Sequence, residues 1–154
     1  MLSDEEIASI EPLRVEKARE LQKLSRALEQ NTALREVREI NTDVLPEQDI
    51  LTWLRHLPII DDAVLVSWDE ETGIRVPWSL FVRRWDDFCY PSSDDVSIIP
   101  LSDQWLLQYW HYGQFSWKHV NATSQRGFIY RAGRWNFGRN GTLAAARRSL
   151  GRLI

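Results

Sequence analysis

The chain has 154 residues, 44% of them hydrophobic and 27% charged, with a formal net charge of −3. That length suits one domain able to bury a sizeable core, and the balance argues against wholesale disorder. A single cysteine, Cys89, excludes an internal disulfide and a cysteine-based zinc site and suits a reducing compartment. The N-terminus lacks the basic start and apolar stretch of a signal peptide, and no apolar run reaches the ~20 residues of a membrane span, so a cytoplasmic protein is expected.

The net charge hides an uneven layout. Residues 1–60 carry −4 and residues 61–103 carry −7, whereas residues 104–154 contain no Asp or Glu and carry +8. Such asymmetry points to charged partners or to halves of one domain that attract each other. Eight tryptophans are many for this length, and they imply either a core filled by a few large rings or an aromatic binding face.

Ser3-Asp4-Glu5-Glu6 fits a capping box and predicts a short first helix to about Ile10. Pro12 suits the first position of a second helix, with Leu13, Ala18, Leu21, Leu24 and Leu28 as its apolar stripe. Ala33, Leu34, Val37 and Ile40 continue that helix or start another, with Glu and Arg on the solvated face. Pro46 starts a further helix that turns Ile50, Trp53, Leu54 and Leu57 inward and stops at Pro58. Residues 1–58 therefore read as helical.

From Ala63 the texture becomes β-like. Residues 63–68 predict a strand, 69–73 a hairpin loop and 74–76 the return strand. Pro77 opens an inserted helix, 77–89, with Trp78, Phe81, Trp85 and Phe88 along one side. Val96–Ile99 predicts another strand. Tyr112-Gly113-Gln114-Phe115 predicts a two-residue hairpin turn, which sets Tyr112 opposite Phe115, Trp110 opposite Trp117 and Gln108 opposite His119. Residues 105–108 alternatively form a helical turn. A second short hairpin is expected around Ala132-Gly133, and a C-terminal helix over 140–154. The fold class expected is α+β: a helical N-terminal third, a mainly antiparallel sheet of hairpins over 59–139 with one inserted helix, and a C-terminal helix, all in a single domain, 1–154.

No catalytic motif stands out. The carboxylate pairs lack the spacing of a calcium loop, and His56, His111 and His119 share no metal-ligand spacing, so neither metal nor cofactor is expected. Cys89, flanked by aromatics and preceded by Asp86 and Asp87, reads as a buried apolar residue and not as a reactive thiolate. Two binding surfaces can be written down. One is acidic: Asp61, Asp62, Asp69, Glu70, Glu71, Asp94 and Asp95. The other is the basic, aromatic C-terminal third, where Arg131, Arg134, Trp135 and Arg139 join phosphate-binding to base-stacking groups. No named nucleic-acid motif accompanies it.

The run Val66-Ser67-Trp68-Asp69, Val76-Pro77-Trp78 and Trp85-Asp86-Asp87-Phe88-Cys89-Tyr90-Pro91-Ser92-Ser93-Asp94-Asp95-Val96 resembles small, mostly uncharacterised bacterial proteins, some of which act as immunity proteins for polymorphic toxins. The resemblance covers about a fifth of the chain and carries over no functional residue. It implies a bacterial origin and a non-enzymatic role; together with the −7 charge of residues 61–103 it leads to the expectation of a protein-binding domain whose acidic surface docks on a basic partner such as a toxin. The alternatives are nucleic-acid binding through the C-terminal third and a hydrolase using Asp94 or Asp95.

Overall fold

The computed structural model describes residues 2–30, 34–90, 95–101 and 105–120, without the side chains of 34–37 and 120. The expected hairpin at 127–137 and the expected helix at 140–154 lie outside these residues.

The described chain is α+β. Seven strands form one sheet: β1 (Glu11–Pro12), β2 (Leu34–Asn41), β3 (Ala63–Ser67), β4 (Gly73–Pro77), β5 (Val96–Pro100), β6 (Trp105–Trp110) and β7 (Gln114–Val120). Their order across the sheet is β1-β4-β3-β5-β6-β7-β2, and every pair is antiparallel. Five helices cover it: α1 (Asp4–Ala8), α2 (Val15–Glu29), α3 (Glu47–Arg55), α4 (Trp78–Arg83) and α5 (Trp85–Phe88).

Local chemistry accounts for the helix starts. The Ser3 side chain accepts from the Glu6 amide at 3.2 Å and the Glu6 carboxylate accepts from the Ser3 amide at 2.9 Å, the predicted capping box. Glu6 does more. Its other oxygen accepts from Arg83 at 3.0 Å and Arg84 at 3.4 Å, tying α1 to the α4–α5 junction. These donors hold its carboxyl at about 2, well below the usual range, with the Ser3 amide the largest cause.

Four expectations need correction. The N-terminal third is not wholly helical, because 34–41 is strand β2. Tertiary pairing with all of β7 outweighs the helix-compatible spacing, and Ile40 is buried opposite Phe115. Pro12 does not open α2. It sits in the two-residue edge strand β1, where a missing N–H is tolerated, and the helix begins three residues later. The inserted helix 77–89 is two helices, broken where Arg84 leaves helical geometry at φ −126° and ψ 30°.

The fourth correction concerns the β6–β7 hairpin. Trp110 pairs with Gln114, Tyr109 with Phe115 and Leu107 with Trp117, so the loop has three residues, His111–Gly113. Gly113 takes the left-handed conformation, φ +77°, that such a loop needs. A side chain there would also collide with the Asp43 carboxylate. The register shift is odd, so it moves Trp105, Leu107 and Tyr109 onto the face of Phe115 and Trp117 and sends Gln108 and Trp110 to the other face.

The two faces bury different cores. One packs Val64, Val66, Ile74, Val76, Ile98 and Leu107 with Phe81, Trp85, Phe88, Trp105, Tyr109, Phe115 and Trp117, against α1, α3, α4 and α5. Tyr109 and Phe115 meet edge to face at 4.8 Å, and Trp85 meets Phe115 at 5.6 Å. The other face sets Leu65, Ile99 and Leu106 against Leu21, Leu24 and Leu28 of α2.

Candidate functional site

The sheet sorts the acidic residues by its two ends. Asp61 and Asp62 precede β3, and the Asp62 carbonyl accepts from the Trp78 amide. Asp69, Glu70 and Glu71 follow β3 in the loop to β4. Five extended residues separate the groups, roughly 16 Å at about 3.3 Å per residue. Asp95 precedes β5, whose Ser97 pairs with Ser67, so it joins the Asp69 end. The structure thus brings Asp69, Glu70, Glu71 and Asp95 to one end and leaves Asp61 and Asp62 at the other. Asp94 lies outside the described residues, as do Arg131, Arg134, Trp135 and Arg139 of the basic, aromatic segment.

The carboxylates at the first end differ in their work. Asp69 shapes its own loop: one oxygen accepts from the Glu71 and Thr72 amides at 2.7 and 2.6 Å, and the other from the Thr72 hydroxyl at 3.1 Å. Glu70 is exposed and pairs with Arg26 of α2 at 3.1 Å. Glu71 is exposed. Asp95 accepts from the His111 amide at 2.9 Å and stands 2.9 Å from its Nδ1, both groups being exposed.

Other residues complete this end, and the sequence reading missed them. The hairpin loop His111–Gly113 lies beside the β2–α3 loop, since the Thr42 amide donates to the Gly113 carbonyl at 2.8 Å. This places Thr42 and Asp43 against Gly113 and brings the loop that carries Val44 and Leu45 to the same end of the sheet as Tyr112. Val44 is 74% exposed and Tyr112 54%, and Tyr112 stacks on half-buried Trp110 at 6.2 Å. Trp68 donates to the Phe88 carbonyl at 2.9 Å, so the end of α5 reaches the same region, and Tyr90, two residues on, is 59% exposed. The available signal was the pair Val44-Leu45 ahead of Pro46, two apolar residues in a polar loop.

None of the seven described tryptophans is exposed, so the exposed rings here are tyrosines. Cys89 is fully buried, and burial pushes its thiol up, away from the reactive thiolate. The histidines do not converge: His56 Nδ1 lies on the Thr52 carbonyl at 2.6 Å, His119 lies 5.8 Å from the Trp117 ring, and His111 sits at the far end of β7. Among the described residues, no group of three His, Cys, Asp or Glu side chains is placed to hold a metal ion, and no helix is long and apolar enough to cross a membrane.

Comparison of the chain with family models, with curated proteins and with solved structures finds no match.

Proposed function

We propose that this is a non-enzymatic protein-binding domain of bacterial immunity or antitoxin type, and that the sheet end carrying Asp69, Glu70, Glu71 and Asp95 docks on a basic protein and blocks it. The observation that carries this reading is that those carboxylates lie at the same end of the sheet as exposed Tyr112, Tyr90 and Val44. Carboxylates around exposed aromatic rings suit a protein interface, where charge speeds encounter and an aromatic anchor holds the complex. The opposite end offers Asp61 and Asp62 beside exposed Ile60 and, among the described residues, is the weaker surface.

The test is capture of a basic protein by tagged chain, repeated with two neutralised variants. Asp69, Glu70, Glu71 and Asp95 changed together to Asn or Gln should abolish capture, while Asp61→Asn with Asp62→Asn should leave it intact. Equal capture by both variants would overturn the reading.

A second reading, acid–base chemistry, is favoured by the Asp95–His111 pair, in which a carboxylate orients an imidazole. Against it, no serine, threonine or cysteine is hydrogen-bonded to His111 among the described residues. Nucleic-acid binding through Arg131, Arg134, Trp135 and Arg139 rests on composition alone, and a single-stranded DNA titration at low salt tests it.

A further inference from the structure

The sheet end that carries Asp69, Glu70, Glu71 and Asp95 also carries a histidine, in contact with both a carboxylate and the exposed ring. His111 opens the three-residue loop between β6 and β7. Its side chain is exposed, its amide donates to Asp95 Oδ1 at 2.9 Å, and its Nδ1 stands 2.9 Å from the same oxygen. The ring also meets Tyr112 edge to face, with centroids 5.4 Å apart. An ionised carboxylate only accepts, so the pair fixes the neutral tautomer: Nδ1 carries the hydrogen and donates, and Nε2 keeps its lone pair. The next proton therefore goes to Nε2.

Among the described residues, the segments around this loop each bring a titratable group. Asp95 comes from the start of β5, and the Tyr112 phenol from the loop itself. Asp43 comes from the β2–α3 loop, where its carboxylate lies against Gly113. Asp69, Glu70 and Glu71 stand in the β3–β4 loop at the same end, with Arg26 paired to Glu70. A proton on His111 changes this end in two ways. It offsets the charge of Asp95, the carboxylate the ring already holds. It also puts a cation beside Tyr112, the exposed ring on which a basic side chain would stack. Histidine takes up that proton between about pH 8 and about pH 5. The other two histidines sit elsewhere: His119 pairs with Trp105 at the opposite end of the sheet, and His56 closes α3 with Nδ1 on the Thr52 carbonyl.

We infer that His111 makes the docking end sensitive to pH: the end holds a basic partner while the imidazole is neutral and releases it as the imidazole gains a proton. The inference rests on the docking reading above and adds regulation to it. Binding and protonation are linked, so a cationic partner that favours the neutral ring is held fully at the alkaline end of the range and less tightly as pH falls.

The test is the fluorescence anisotropy of a dye-labelled poly-arginine peptide titrated with the full chain, repeated between about pH 8 and about pH 5.5. Wild type should bind the peptide about 2–5-fold more weakly at the acid end of that range, the scale of one exposed charge. His111→Gln should keep the alkaline-end affinity of wild type throughout. His111→Lys should show the acid-end affinity throughout, because its cation is permanent in this range. His119→Gln, at the opposite end of the sheet, should keep the wild-type step. A step of equal size in wild type and His111→Gln, or a His111→Lys chain that binds as tightly as wild type at the alkaline end, would overturn the inference and leave the docking reading standing. Alkaline-end binding that survives neutralisation of Asp69, Glu70, Glu71 and Asp95 would overturn the docking reading, and this inference with it.

Discussion

The two faces of the sheet are cores of different kinds. The face under α3, α4 and α5 is held by rings: Trp78 on Phe81 at 5.5 Å, Phe81 on Phe88 at 5.7 Å and Tyr109 on Phe115 at 4.8 Å. Three indole N–H groups there, of Trp85, Trp105 and Trp117, are buried with no hydrogen-bond partner among the described residues. The face under α2 is held by leucines and crossed by a polar row. Gly73, Ser67, Ser97, Gln108, Ser116 and Glu39 stand opposite one another from β4 to β2. Gln22 donates to Ser67 at 2.9 Å, and the Ser25 and Ser97 hydroxyls lie 2.7 Å apart. Gly73 keeps the row's first position small enough for Leu13, which a Cβ would meet at 3.1 Å. The polar row has its own unpaired group among the described residues, Gln108 Oε1, so the contrast lies in what seats the helices: ring packing on one face, specific hydroxyls on the other.

The comparison can be broken first at its rings. Phe115→Ala removes the ring that Trp53, Trp85 and Tyr109 all contact, and should cost about 3–5 kcal/mol in urea unfolding. Leu21→Ala, at a fully buried position on the other face, should cost about 2–5 kcal/mol and leave the aromatic near-UV circular dichroism closer to wild type.

The polar row sharpens the contrast. Ser97→Ala strands the buried Ser25 hydroxyl and should cost about 1–3 kcal/mol, whereas Ser25→Ala with Ser97→Ala should cost less than that single change. A double variant as costly as the sum of its parts would mean that the hydroxyl pair plays no part in seating α2.

The smallest effect expected is at Glu6. Its carboxyl is depressed from 4.5 to about 2 in the folded chain, so its contribution is complete above pH 4.5 and is lost as pH falls toward 2. Melting temperatures of wild type and Glu6→Gln should therefore differ at neutral pH and converge through that window.

Much of this fold could be read from residues. The β-branched runs at 63–67 and 96–99, the Ser3–Glu6 box and the leucines of α2 each act through neighbours close in sequence, so their patterns survive without tertiary context. β2 was illegible because Leu34, Val37 and Ile40 fall at helical spacing, and only seven paired residues of β7 decide otherwise. The β6–β7 register was misread because Gly113 suits two turn types, and the choice rests on Asp43 and Thr42, some seventy residues away in sequence. The acidic residues were legible as candidates, but their division between two sheet ends was not. That division depends on which strand of each antiparallel pair a loop leaves.

The sheet end that carries Asp69, Glu70, Glu71, Asp95 and exposed Tyr112 is proposed as a docking surface. The most direct measurement is the binding kinetics of a captured basic partner at two ionic strengths, for wild type, the Asp69/Glu70/Glu71/Asp95 neutralised variant and Tyr112→Ala. The account predicts that salt and neutralisation slow association, while Tyr112→Ala chiefly speeds dissociation. Association and dissociation rates unchanged in both variants would contradict it.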